Sequence, residues 1–313
     1  MISDRQLLST REVASFVARG FLRFDGVVPE ALNDDFLRDF EAGPANPKAG
    51  GTPLLECYAP ASPTARALAL PRVRGAIESL VGAGSIFDHH FYHVRDGFDT
   101  RSQDLHQDST IDPRLTFDIQ LLYFPQAVTR EMGGTRFLPG SHLRLVHESS
   151  IARYQNVVGQ EHVVCEAGTV FIFHHGLWHG AGRNTSGKRR VMFKLRLNPS
   201  VLQCKLWDTS DLDARALAHK PLFVPGVHDP NDIQDILCTS ERWFEDDTQR
   251  LEFINRIRLW RHLLGDPVAD AHYWLTRIEN EPSLERSLQN GSNERSGDAG
   301  ENAPLVNASA LAP

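Results

Sequence analysis

At 313 residues, 41% hydrophobic and 23% charged, the chain has an ordinary globular composition with ample material for a core. A formal net charge of −7, with no long block of Lys and Arg, argues against broad attraction to nucleic acid or anionic membrane. Cys57, Cys165, Cys204 and Cys238 stand far apart with no C-x-x-C spacing, which leaves a cysteine zinc site unsupported and favours buried free thiols over disulfides.

The first residues, MISDRQLLSTREV, lack the apolar run of a secretory signal, and no stretch approaches a membrane span. A cytoplasmic protein is therefore expected. Ser9-Thr10-Arg11-Glu12 is a capping-box pattern ahead of Val13, Phe16 and Val17, with Gly20 as the stop. FLRFDGVV (21–28) follows as a strand, and Pro29 opens a helix with Leu32, Phe36 and Phe40 on one face. Residues 43–64, rich in Gly, Pro and Ala, read as a loop, and Val73, Ile77 and Val81 predict a helix over 71–82.

From about 85 to 198 the texture changes to short strands broken by turns: SIFDHHFYHV, TFDIQLLYF, EHVVCE, TVFIFHH and RRVMFKLRL. Such a block, preceded by helices, predicts a mainly β jelly roll or double-stranded β-helix with flanking α-helices. The expected division is a β-helix domain over 1–198, a helical extension over 199–282 and a disordered tail over 283–313. Within the extension, Phe253, Ile257, Trp260 and Leu264 form one helical stripe, which also offers a surface for a homodimer.

His106 and Asp108 form an H-x-D pair. With 14 His and 40 acidic residues, chance alone gives about two such patterns, so the pair means little by itself. If residues 105–109 are extended, however, both side chains point to one face and can meet one ion. His179, after the strand TVFIFHH in a turn-like setting, supplies a further imidazole; His174 and His175 compete for that role, with backbone hydrogen bonds as their ordinary fate. In RRVMFKLRL, Val191, Phe193, Leu195 and Leu197 share one face, while Arg190, Met192, Lys194 and Arg196 share the other. A guanidinium suits a planar carboxylate. Arg190, eleven residues beyond His179, is placed for that task, whereas for Lys194 and Arg196 a solvent-facing cationic edge and contact with a ligand are both open. His89 and His93 fall on one face of their strand, opposite His90; a lining role or satisfied core positions are the alternatives, and a second metal site is disfavoured.

Taken together, H106-Q-D108, the run GGTRFLPGSH (133–142) and WHGAGRN (178–184) followed by Arg190 resemble the phytanoyl-CoA dioxygenase-like family of Fe(II)- and 2-oxoglutarate-dependent oxygenases, over residues 10–198. The resemblance implies a double-stranded β-helix, with His106, Asp108 and His179 as iron ligands. It also implies that Arg190 holds the distal carboxylate of 2-oxoglutarate, with Gln103 and Thr135 near the cosubstrate. His142 matches the family run as a turn-ordering residue. Ala181 departs from it, because some relatives carry Ser two residues after the distal His. The implied reaction consumes O2 and 2-oxoglutarate, yields succinate and CO2, and oxidises a small-molecule C–H bond by hydroxylation, desaturation, ring formation or epoxidation. Asp108 fills the position that a halogenase leaves for halide. A cupin-like metalloenzyme independent of 2-oxoglutarate, and a non-catalytic binding protein of the same fold, stand as the alternative readings.

Overall fold

The computed structural model describes residues 6–108, 118–143, 157–200 and 206–211. Within them, the helix α1 (Thr10–Arg19) begins with the expected capping box. The Ser9 hydroxyl accepts from the Glu12 amide, and the Glu12 carboxylate accepts from the Ser9 amide at 2.9 Å. Two of the four orphan donors at this helix end are thereby satisfied. The amides of Thr10 and Arg11 donate to the Asp211 carboxylate at 3.1 and 2.9 Å, which fastens segment 206–211 to the same helix start. Gly20 ends α1 at φ 80°. A Cβ there would lie 2.4 Å from Nδ1 of His142, so the position needs glycine for space as well as for conformation.

Strand β1 (Phe21–Phe24) is shorter than expected, because the chain turns at Asp25-Gly26 before α2 (Glu30–Ala42). The expected loop over 43–64 is corrected: it contains α3 (Leu54–Cys57) and runs into α4 (Pro63–Leu68). Pro53 and Ser62-Pro63 start these turns, and the Ser62 hydroxyl accepts from Ala65 N at 3.1 Å. A single turn of helix is too short to show a 3.6-residue period. Helix α5 (Pro71–Val81) closes the helical layer.

The remaining elements are β2 (Ile86–Arg95), β3 (Ile119–Phe124), β4 (Thr135–Phe137), β5 (Glu161–His162), β6 (Thr169–His174), β7 (His179–Ala181) and β8 (Arg190–Asn198). They form a five-stranded antiparallel sheet in the order β1-β6-β3-β8-β2 and a three-stranded one in the order β5-β4-β7. Period-two alternation divides the larger sheet. Leu121, Tyr123, Val170, Ile172, Phe193, Leu195 and Leu197 face the helices and share a core with Phe16, Phe36, Val73 and Ile77. Leu122, Phe124, Phe171, Phe173 and Met192 face inward and meet Phe137 of the smaller sheet in a second core. Two antiparallel sheets closed over a shared interior are the expected jelly roll, with helices outside the larger sheet.

Cys57 and Cys165 are buried free thiols. Cys204, Cys238, the helical stripe over 245–264 and the tail from 283 lie outside the described residues, as does nearly all of the extension beyond 199. Among the described residues, no helix is long and apolar enough to cross a membrane.

Candidate metal centre

His106 and His179 are brought together by the backbone. His106 N donates to His179 O at 2.9 Å, and His179 N donates to His106 O at 2.9 Å. This isolated antiparallel bridge puts the two rings side by side, with centroids 4.7 Å apart. His179 therefore lies within a strand, β7, and the turn-like setting expected for it is corrected. The smaller sheet holds that strand in place: Phe137 pairs with His179 in register, and Leu138 N donates to Trp178 O at 3.0 Å. The Ser141 hydroxyl accepts from Trp178 N at 2.8 Å and donates to Leu138 O at 2.7 Å. The run GGTRFLPGSH is thus the clamp on the distal histidine.

Each imidazole is fixed in the same way. Nδ1 of His106 lies 2.8 Å from Asp104 O, and Nδ1 of His179 lies 2.8 Å from Leu177 O. A carbonyl only accepts, so each Nδ1 carries a proton, and in the neutral ring each Nε2 has its lone pair for the space between them. Asp108 Oδ1 faces that space, 3.4 Å from Nε2 of His106 and 3.6 Å from Nε2 of His179. One donor atom from each of the three residues lies within 4.8 Å of the others. Two neutral imidazoles and a carboxylate on one face of a site suit a divalent first-row metal such as iron(II). Between the ligand positions, Gln107 Nε2 donates to Gly176 O at 2.7 Å and anchors the segment from below.

Local charge tunes the three groups unequally. Burial pushes the Asp108 carboxyl up, but His106, His179 and Lys194 outweigh it and hold the carboxyl far below its usual range. Burial, chiefly, pulls His179 down to about 4. Burial acts on His106 in the same sense, but its contacts with Asp108 and Asp104 O prevail and raise it.

Of the two open readings for Lys194 and Arg196, the solvent-facing edge is not the one found. Both side chains point inward and are largely buried. The Lys194 ammonium donates to Asp108 Oδ2, so the two oxygens of one carboxylate serve different partners. Arg196 donates to Asp118 Oδ2 at 2.6 Å and lies 3.5 Å from Asp88. The Lys194 contact is the feature that sequence reasoning missed, although its shared face with Arg190 was a usable signal.

Arg190 is 1% exposed, and it donates to Gly133 O. Its Nε has no partner, and no carboxylate among the described residues pairs with it. Burial, then the charge of Arg95, pushes it down to about 10. A buried guanidinium without a counter-ion is costly, and it fits an anion that arrives with a ligand. His93 lies on β2 opposite Met192, within electrostatic reach of Arg190, Lys194 and Asp108, and its Nε2 is buried without a partner.

The other expected residues fall around this interior. Thr135 is buried on β4 opposite Ala181. The Gln103 side chain accepts from Ala181 N at 3.0 Å. His174 Nδ1 accepts from Gly176 N and His175 Nδ1 from Asp118 N, both at 3.1 Å, so these two are held by backbone as their alternative reading had it. His142 Nε2 donates to Val17 O at 2.9 Å and orders its turn. His90 bonds Tyr58 on the outer face at 3.0 Å, opposite His89 and His93.

A jelly roll with two imidazoles and one carboxylate converging inside it defines a β-helix protein with a candidate mononuclear metal centre. The phytanoyl-CoA dioxygenase (PhyH) family model matches residues 16–192, more than half of the chain, and the chain belongs to that family. A curated relative, the uncharacterized protein Rv1501 of Mycobacterium tuberculosis, is 40% identical over 73 residues, 23% of this chain and 26% of that protein. The match thus spans about a quarter of the relative's length. Among solved structures, HygX from Streptomyces hygroscopicus with iron bound superposes with a TM-score of 0.50 at 17% identity, over 66% of this chain and 93% of that one. HygX with nickel and 2-oxoglutarate bound gives a TM-score of 0.50 at 17% identity, over 66% and 94%. At that identity the likeness establishes the fold.

Proposed function

We propose that this protein is an Fe(II)- and 2-oxoglutarate-dependent dioxygenase that oxidises an unactivated C–H bond of a small organic substrate. The observation that carries the reading is a pairing. Three metal-ligand atoms converge, and the buried Arg190, without a carboxylate partner among the described residues, stands on the same inner sheet face as Lys194, which reaches Asp108.

In this reading His106 and His179 bind iron through Nε2 and Asp108 through Oδ1. Arg190 receives the distal carboxylate of 2-oxoglutarate in a two-pronged hydrogen bond. Thr135 and the N–H donors of Gln103 border the cosubstrate. Bound iron supplies the capacity to activate O2 and to couple the oxidative decarboxylation of 2-oxoglutarate to attack on a substrate C–H bond. The residues of this chain do the rest. The mutual backbone bonds of His106 and His179 set the spacing of two ligands before any metal arrives, which lowers the cost of assembling the site. Phe173, with its ring 6.1 Å from that of His179, helps keep water from the buried side of the centre.

Aerobic incubation with Fe(II), ascorbate, 2-oxoglutarate and a broad substrate panel tests the reading through succinate formation. Fe(II)-dependent succinate, lost in His106→Ala, is the expected outcome. O2 consumption that ignores 2-oxoglutarate would favour a cupin-like enzyme without this cosubstrate. Absence of any turnover together with retained ligand binding would favour a binding protein.

A further inference from the structure

We propose that Lys194 is a positioning residue that makes the metal site selective for a metal ion arriving with its dianionic cosubstrate. This rests on the metal-site reading above. The geometry is a division of one carboxylate: Oδ1 of Asp108 faces the two Nε2 atoms, and Oδ2 is held by the Lys194 ammonium. The side chains of Lys194 and Asp108 are 9% and 15% exposed, so water screens the contact little. Among the described residues, no other acid relieves Lys194. Asp118 and Asp88 are committed to Arg196, and Asp99 to Arg95 and Arg101.

Three consequences follow from charge. Lys194 occupies the second oxygen, so Asp108 offers one donor atom to the metal. Lys194 also cancels the charge of Asp108, leaving two neutral imidazoles and a net-neutral ion pair to receive a divalent cation. A bare dication is therefore opposed by a nearby ammonium. A dication neutralised by a dicarboxylate is not opposed, because the pair brings no net charge. Lys194 thus penalises the bare ion and spares the complex, which is a coupling free energy between the two ligands. By linkage, the same residue must strengthen cosubstrate binding to the metal-loaded protein.

The test titrates full-length protein with Mn2+, a redox-inert probe followed by electron paramagnetic resonance, with and without saturating 2-oxoglutarate. Lys194→Met should bind bare Mn2+ about tenfold more tightly than the parent, as expected for removing one like charge near the ion. With 2-oxoglutarate present, the gain should shrink to about threefold or less. Lys194→Arg, which keeps the charge, should retain the parental coupling. Lys194→Gln serves as a second neutral variant should Lys194→Met fail to fold. A neutral variant with parental Mn2+ affinity and parental coupling would overturn the proposal, as would weaker Mn2+ binding with coupling unchanged. A parent that binds Mn2+ no better than His106→Ala would instead overturn the metal-site reading, which keeps the two failures apart.

Discussion

His106 and His179 each donate a backbone N–H to the other's carbonyl at 2.9 Å, although 72 residues separate them, from position 106 to position 179 less one. The bond pair is independent of the imidazoles, so removing one ring leaves the bridge. His106→Ala should therefore fold, with a thermal midpoint close to the parent's in metal-free buffer, while losing at least about 100-fold in divalent-metal affinity. Calorimetric titration together with thermal denaturation checks both halves. Retained metal affinity would remove His106 from the ligand set.

Arg190 is buried, and its guanidinium presents a planar fork. Arg190→Lys keeps the charge but loses the two-pronged hydrogen bond, and should raise the 2-oxoglutarate KM about tenfold or more. Metal affinity without cosubstrate should stay close to parental. Succinate formation over a 2-oxoglutarate series measures the first, and an unchanged KM would strip Arg190 of its anchoring role.

Gly133 combines φ 66° with a carbonyl that accepts from Arg190. A Cβ at this position would sit 1.8 Å from Arg183 O, a backbone atom that cannot swing aside. Gly133→Ala should destabilise the protein by roughly 2–4 kcal/mol and displace the Arg190 side chain. Urea denaturation gives the stability, and a parental midpoint would contradict the described turn.

Burial, chiefly, holds His142 at about 4, below the ordinary 6.5, and places His174 well below it. Both are neutral when folded and take up a proton on unfolding at mildly acid pH. The contribution of His142 is fully present above pH 6.5 and is lost as pH falls toward 4, and that of His174 is lost in the same direction. For His142 alone the loss at about pH 5 is about 2 kcal/mol. Metal-free protein should thus show a lower urea midpoint at about pH 5 than above neutrality, and a flat or rising profile would sink this account.

Much of this architecture was legible because it rests on periodicity and caps. Ser9 and Glu12 marked α1, and the alternation in RRVMFKLRL sorted Arg190 from Val191 correctly. The pairing of His106 with Asp108 followed from extended geometry. What escaped was carried by elements too short to have a period: α3, the three-residue β4 and β7, and the bridge between His106 and His179. Lys194 escaped for a different reason. Alternation tells which face a cation shares, but only the fold tells that this face is interior and that Asp108 waits opposite. The family resemblance points to Gln103, yet its bond to Ala181 N depends on a contact across 78 residues.

In the proposed reaction, O2 reduction is tied to 2-oxoglutarate. The most direct measurement supplies 18O2 with Fe(II) and 2-oxoglutarate, and analyses the succinate by mass spectrometry. The expected product is Fe(II)-dependent succinate carrying one labelled oxygen, absent with His106→Ala. Oxygen uptake that yields no labelled succinate would contradict that reaction.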